Sequence, residues 1–391
     1  MKKRIVAALL CVLLLGCTML SSCGNLFGGE TVEIAMITDG GSVGAGSMNQ
    51  AVWDVVANFA IANGKSYDAY QPASSSRADR VDIIMHAIVK GAVLVVCSGQ
   101  ALSEAVYEVQ DLFPDVTFLL VDGIPTAPAD VDQKTTKSNS LFDSFSNSTS
   151  AAVTTVTPET TAATTKISAN VYCITFHEEQ AGYLAGYVAT RNGYSHFGFM
   201  SERDSDADLL YGCGFLQGVE DAARDMGITA RVNVIFRYSG NGTTEDEFYN
   251  TAKSWYRSGT ELVFASGETS ASVIKAAEEC NGRVICSDSD HSSESNLVVT
   301  SAMKMLEKPL VEALNSLKGN SYKWDADHSA KSVLLGLDDG AVGLATDAWR
   351  FGAFSIDAYE NIAAKIVAGE IKVSTDKSVM HDLDITVDFQ S

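Results

Sequence analysis

The chain is 391 residues long and carries 28 lysines and arginines against 49 aspartates and glutamates, a formal charge of −21. So acidic a surface repels phosphate backbones, which excludes nucleic acid as a partner. The length suits two domains rather than one.

In chain order, Met1-Lys2-Lys3-Arg4 precedes an apolar run from Ile5 to Leu20. A charged start followed by a short apolar stretch reads as a secretory leader rather than a membrane span. It closes on Leu20-Ser21-Ser22-Cys23-Gly24, which resembles a bacterial lipobox. Residues 1–22 are therefore expected to be a lipoprotein signal peptide, Cys23 the acylated residue and 23–31 an anchor linker. Acyl chains contribute about 0.8 kcal/mol per buried methylene, which places the protein on the extracytoplasmic face of the cell membrane. A transmembrane anchor is the alternative. Loss of Lys2, Lys3 and Arg4 with the leader leaves 25 basic against 49 acidic residues, or −24.

Ile34 to Ile37 reads as a buried strand. Thr38-Asp39 follows, then a loop with Gly40, Gly41, Gly44 and Gly46. Ser47 is a plausible N-cap for a helix whose apolar face is Val52, Val55, Val56, Phe59 and Ala60. A strand, a glycine loop and a helix start is how an open parallel sheet presents a ligand; an ordinary capped loop is the bland alternative. The glycine spacing matches neither a dinucleotide fingerprint nor a P-loop.

Strand-like and helix-like segments then alternate. Strands are expected at Gly91–Cys97, Val116–Val121, Asn170–Phe176, Phe197–Met200, Arg231–Tyr238, Glu261–Ala265, Arg283–Cys286, Leu297–Thr300 and Val333–Leu337. Helices are expected at Leu102–Leu112, after His177, and at Leu209–Met226, Glu245–Arg257, Ser270–Cys280, Ala302–Leu317 and Ile356–Val367. Repeated βα units imply parallel sheets covered by helices. The fold class expected is α/β, in two lobes: residues 32–175 plus about 288–330, and residues 176–287 plus about 331–391. Residues 134–166, dense in Ser and Thr, read as an insertion too polar to bury.

Past the lipobox, Cys97, Cys173, Cys213, Cys280 and Cys286 are odd in number and mostly sit in apolar runs, so buried thiols are expected. No metal or cofactor is expected, because His86, His177, His196, His291, His328 and His381 are scattered. Catalysis finds little support: Cys97-Ser98-Gly99-Gln100 is no nucleophile elbow, and a crossing between lobes explains His177-Glu178-Glu179 as well as an acid–base pair does. Asp39, Asp122, Asp288 and Asp290 stand just past strand ends. On parallel strands they converge on one edge, where carboxylates suit vicinal hydroxyls or a ring N–H. Lys304 is either a donor to ligand oxygen or an exposed helix lysine.

Thr38-Asp39 with Ser47-Met48-Asn49-Gln50, Leu112-Phe113-Pro114-Asp115, Phe118-Leu119-Leu120-Val121-Asp122, Tyr183-Leu184-Ala185-Gly186-Tyr187, Ala265-Ser266-Gly267, Asp288-Ser289-Asp290 and Thr300-Ser301-Ala302-Met303-Lys304 follow in this order behind the lipobox. Together they resemble the basic-membrane-protein (BMP) lipoproteins, substrate-binding proteins of nucleoside ABC importers. The resemblance spans Glu33 to about Val373 apart from the insertion. It implies a two-lobed periplasmic-binding-protein-like (type I) fold with ligand in the interlobe cleft. It also implies Asn49 and Asp122 on a purine base, Gly267 and Asp288 on the ribose, and Lys304 on a ribose oxygen, with Asp39 and Met48 beside them. The expected partners are a nucleoside and an ABC permease, with the protein a monomer. Met48 stands where the family has an aromatic, and Asn241 and Gly242 replace a second, which leaves Tyr238 or Phe236 as substitutes. The alternative keeps the fold but takes a different polar small molecule, for transport or signalling.

Overall fold

The structure, a computed structural model, describes residues 31–44, 47–128, 164–201, 205–239, 243–319 and 321–390. The expected signal peptide, Cys23, nearly all of the linker, most of the Ser/Thr-rich tract, and Asn241 and Gly242 lie outside the described residues.

Strands β1 (Ile34–Thr38), β2 (Tyr67–Tyr70), β3 (Leu94–Ser98), β4 (Thr117–Val121) and β5 (Val171–Phe176) form a parallel sheet in the order 5-4-3-1-2. Helices α1 (Met48–Ala62), α2 (Arg77–Val89) and α3 (Ser103–Val109) connect the first four strands. Every residue of β1, β3 and β4 is buried, as expected of central parallel strands covered on both faces. Ser47 caps α1, its Oγ accepting from Gln50 N at 3.1 Å, and the buried face of α1 is the expected apolar set together with Asn49.

The chain then crosses into α4 (Glu178–Arg191) and builds the same arrangement again. Strands β6 (His196–Ser201), β7 (Asn233–Tyr238), β8 (Leu262–Ser266), β9 (Arg283–Asp288) and β10 (Val298–Lys304) lie parallel in the order 10-9-8-6-7. Between them run α5 (Asp206–Met226), α6 (Glu245–Arg257) and α7 (Ser270–Cys280). After β10, α8 (Glu307–Ser316) packs back on α1 of the first lobe. Then β11 (Lys331–Leu335) pairs with β5, while β12 (Val342–Leu344) returns to β10 as an antiparallel edge. Helix α9 (Ile356–Val367) and β13 (Thr386–Gln390), parallel to β7, complete the second lobe.

Among the described residues three segments therefore join the lobes, and they bond to one another. His177 N donates to Leu335 O at 2.9 Å, Met305 N to Ala341 O at 2.8 Å, and Leu337 N to Gln180 Oε1 at 2.9 Å.

The expected lobe boundaries need correction at two places. Residues 298–304 belong to the second sheet and residues 331–335 to the first, the reverse of the sequence reading. Ala302 to Lys304 were read as the start of a helix; they are strand, paired with Leu344 to Val342, and the helix begins only at Glu307. Pairing on both sides of β10 overrides the helical preference of an Ala-Met-Lys-Met-Leu run. The sequence reading also omits β2, α2, β12 and β13. Residues of β2 and β13 are largely outside the core, so no apolar run announces them. Cys97, Cys173, Cys213 and Cys286 are buried free thiols and Cys280 a partly buried one, as expected.

Helices α4 and α5 approach so closely that glycine is obligatory along their seam. A Cβ on Gly182, Gly186, Gly214 or Gly218 would land on the carbonyl oxygen of Tyr211, Phe215, Glu179 or Tyr183 respectively. Tyr183 and Tyr187 flank this seam and donate to Asp221 at 2.9 Å and Asp225 at 2.8 Å. Gly218→Ala is expected to cost about 3 kcal/mol, the upper end of overpacking, despite alanine's better helix propensity. Thermal denaturation beside Gly352→Ala, whose site is open, checks this; equal melting temperatures would refute the close seam.

Candidate functional site

In each sheet the strand order reverses between the first and third strands, at β1/β3 and at β6/β8, and ligands of open α/β sheets bind at such points. The two reversals face each other across a cleft of about 660 Å³. From the first lobe come Asp39, Ser47, Met48, Asn49, Gly99, Gln100 and Asp122; from the second come Asp208, Tyr211, Ser266, Gly267, Glu268, Ser287, Asp288, His291 and Lys304. All seven sequence-predicted ligand residues (Asp39, Met48, Asn49, Asp122, Gly267, Asp288 and Lys304) thus line one cavity. Asp290 does not; it accepts from Ser292 N at 2.9 Å and serves its own loop.

The floor is organised by Lys304, at the end of β10. Its side chain is 1% exposed, and its Nζ lies 2.9 Å from Asp122 Oδ2, 3.1 Å from Asp288 Oδ1 and 3.2 Å from Glu178 Oε1. It is neither a helix residue nor exposed. Its hydrogen bond goes to Asp122 Oδ2, and Asp288 and Glu178 add ion pairs, so carboxylates from both lobes surround the ammonium. The Lys304–Asp122 pair also ties the second lobe to the first. Burial opposes the charge on Lys304, but Asp122, Asp288 and Glu178 together override it and hold the amine well above the usual lysine range. Burial likewise pushes Asp288 up, yet the charge of Lys304 and the Ser287 hydroxyl outweigh it and leave that carboxyl below its ordinary value. For Asp122 and Glu178 burial wins, and both are raised, Glu178 the more strongly.

Backbone geometry aims these groups. Asp122 and Asp288 have φ of 65° and 69° at the ends of their strands. This left-handed region is uncommon outside glycine, though aspartate visits it more than most, and such strain gathers at functional positions. Gly267, at φ 63°, stands at the corresponding end of β8 and donates its N–H to Ser287 Oγ at 2.9 Å. Ser287 Oγ in turn donates to Asp288 Oδ2 at 2.6 Å.

On the opposite wall, Asp39 Oδ1 accepts from Gly41 N at 3.1 Å and Asn49 Nδ2 at 3.2 Å. Asn49 is 6% exposed, and its Oδ1 has no partner among the described residues. A donor from a ligand would satisfy that oxygen. Glu268 of the second lobe comes near the Gly41 loop: a Cβ on Gly41 would be 3.2 Å from Glu268 Oε1.

The aromatic substitutes do not reach the cleft. Phe236 is buried and stacked on Phe199 at 4.5 Å, and Tyr238 packs edge-on against both. Tyr211 does line the cavity, but its hydroxyl is within 3.4 Å of Asp288 Oδ1 and Lys304 sits 5.6 Å from its ring centre. Among the described residues, Met48 is left as the large apolar group of the first-lobe wall.

Sequence reasoning passed over Glu178, Asp208 and Tyr211. Glu178 was visible by the rule that selected the aspartates, since it stands just past the end of β5. Asp208 stands in the first turn of α5, where its carboxylate accepts from Ser205 and Ser266, each at 2.6 Å. Tyr211 carries no local signal.

A family model described as Bmp, the PnrA-like ABC transporter substrate-binding proteins, matches residues 32–377. The chain belongs to the Bmp family. This Bmp-family chain is 23% identical, over 404 aligned residues, to the CD4+ T-cell-stimulating antigen of Listeria monocytogenes, covering 95% of this chain and 99% of that protein. Basic membrane protein B of Borreliella burgdorferi is 28% identical over 185 residues, which are 46% of this chain and 51% of the relative. In fold it is similar to an ABC transporter solute-binding protein from Aeropyrum pernix K1, with a TM-score of 0.67 at 17% identity over 90% of this chain and 96% of that one. Membership makes the protein an extracytoplasmic ABC transporter substrate-binding protein, with a small-molecule ligand and a permease as partners. Bmp-family proteins bind and release rather than transform.

Lys304→Met would leave three buried carboxyls without their cation, at a cost of about 3–5 kcal/mol. Freed of Lys304, these carboxyls titrate above their unfolded values, so the variant gains stability as pH falls through that range and loses it as pH rises. Urea denaturation of both proteins at neutral and mildly acidic pH checks this. A deficit that does not shrink on acidification would refute the role of Lys304 as shared counter-ion.

Proposed function

We propose that the protein is a lipid-anchored nucleoside receptor of an ABC importer, a purine nucleoside being its first ligand, captured by closure of the two lobes. The observation that carries this reading is the convergence of Asp122 and Asp288, from strand ends in different lobes, on the floor of one cleft with Lys304 between them. Two neighbouring carboxyl acceptors, one from each lobe, suit a molecule that presents ring N–H to one and vicinal hydroxyls to the other. Asn49 would join Asp122 at the base, and Gly267 would join Asp288 at the ribose. Met48 would pack against the base, and Asp39 would hold Asn49 in place. Anchoring through Cys23 follows from the lipobox, and the protein would act as a monomer beside its permease.

The charge of the cavity narrows the class. Asp39, Asp122, Asp208, Glu268, Asp288 and Glu294 line it against Lys304 and His291, and Lys304 is already enclosed by three carboxylates. A phosphate would meet carboxylates, so free nucleosides are favoured over nucleotides.

In a thermal-shift screen of the full chain, a nucleoside at about a hundred times its dissociation constant adds about 2.7 kcal/mol of stability. Guanosine, inosine or adenosine is expected to raise the melting temperature, and their 5′-monophosphates are not. Asp288→Asn, which tolerates the left-handed backbone, is expected to weaken the nucleoside by more than about tenfold in calorimetry; wild-type affinity would refute the ribose assignment. A second reading is favoured by the lack of an aromatic stacking face among the described cleft residues. Stacking contributes about 1–3 kcal/mol per face where bases bind single-strand proteins, and its loss favours a polyol or other polar molecule. Silence from all nucleosides with a shift from a sugar would select that reading.

A further inference from the structure

Glu178 begins α4, directly after the chain leaves β5. It is absent from the cleft wall, its side chain being 4% exposed, yet its Oε1 is 3.2 Å from Lys304 Nζ. The same nitrogen holds Asp122 and Asp288, whose side chains are 11% and 22% exposed. Around this centre the other titratable groups are Tyr211 of α5, whose hydroxyl faces Asp288 Oδ1 at 3.4 Å and the Ala302 carbonyl at 3.3 Å, and His291 beyond β9. Asp208 faces Asp288 from the start of α5. None of these supplies a second cation at the Glu178 end.

One ammonium cannot balance three carboxylates gathered within hydrogen-bond reach of a single nitrogen. If all three ionised, the cluster would hold a net charge of two negatives in a nearly dry site. Buried like charges resolve such a conflict by keeping a proton. Asp288 has other support for its ionised form, from the Ser287 hydroxyl at 2.6 Å. Glu178 is the most deeply buried of the three and the farthest from the ammonium. Burial pushes its carboxyl up, the attraction of Lys304 offsets only part of this, and the proton it would carry is shared with Asp122.

We infer that Glu178 is the positioning residue of this cleft: a neutral carboxylic acid at physiological pH that donates its proton to Asp122 and so aims the remaining acceptor lobes of Asp122 at the ligand. With the acid proton on Asp122 and the Lys304 ammonium enclosed by carboxylates, its hydrogen bond going to Asp122, the floor offers a ligand chiefly acceptors. Recognition there favours a molecule that brings N–H or O–H groups over one that brings carbonyl or phosphate oxygens. The inference rests on the cleft being the ligand site of the proposed function, but the proton itself does not depend on which ligand binds.

Two readouts on the full chain test it. In difference infrared spectra at neutral pH without ligand, the carbonyl stretch of a protonated carboxylic acid is expected in the wild type and is expected to vanish in Glu178→Gln. Guanosine serves as the binding probe. Glu178→Gln, which keeps a donor and no charge, is expected to bind within roughly threefold of wild type, and Glu178→Ala to lose about tenfold or more. Wild-type affinity is expected to fall as pH rises above neutral and Glu178 ionises, and that of Glu178→Gln to stay level. The inference is overturned if the wild type shows no such band, or if Glu178→Gln weakens as much as Glu178→Ala. If guanosine fails to bind the wild type, the nucleoside reading fails while the infrared band still decides the proton.

Discussion

A single buried ammonium constrains this molecule more than any other group. Lys304 at the end of β10 is held by carboxylates from three elements: the end of β4 in one lobe, the end of β9 in the other, and the first turn of α4 at the crossing between them. A charge that leaves water loses several kcal/mol of solvation and regains it only if its partners are positioned in advance. Here that requires both sheets to turn their carboxyl ends toward one another, and it requires α4 to begin where it does. The glycine seam between α4 and α5 meets the second demand, because only hydrogen at Gly182, Gly186, Gly214 and Gly218 lets the helices lie close enough.

The rest of the cleft follows from repetition. Both lobes use the same strand order, so each contributes a gap at its own point of reversal, and the gaps face each other. The first-lobe gap is bounded by the mutual contacts of Asp39, Asn49 and Gly41, and the second by the Ser266, Ser287 and Asp208 hydroxyl–carboxylate chain. Acceptors predominate on both sides. A cavity of this kind suits the neutral, donor-rich ligand proposed for it, and few aromatic faces line it among the described residues.

Lys304 also shows how a short motif can name the right residue and mistake its surroundings. Thr300 to Lys304 was recognised as a site segment, yet Ala302 to Lys304 was read as helix and the lysine as a direct ligand donor. As a strand between β9 and β12, the segment points Lys304 inward, where three carboxylates enclose its ammonium. Glu178, set aside as an explicable neighbour of His177, proves to be one of the three.

The sequence by itself determined most of the alternation of buried strands and helices from Ile34 to Cys286, β2 and α2 excepted, the α/β class, and the aspartates and glycine that sit at strand ends. These are legible because they depend on local pattern: uniform apolar runs for strands buried on both faces, caps such as Ser47, and carboxylates just beyond. Only the tertiary structure decided which lobe owns β10 and β11, since both strands lie next to crossings and their pairing partners are distant in the chain. It alone removed Phe236 and Tyr238 from the cleft, because side-chain direction at a sheet depends on which face a lobe turns outward. And it alone joined Glu178, Asp122, Asp288 and Lys304, residues from distant parts of the chain that share nothing in sequence and one nitrogen in space.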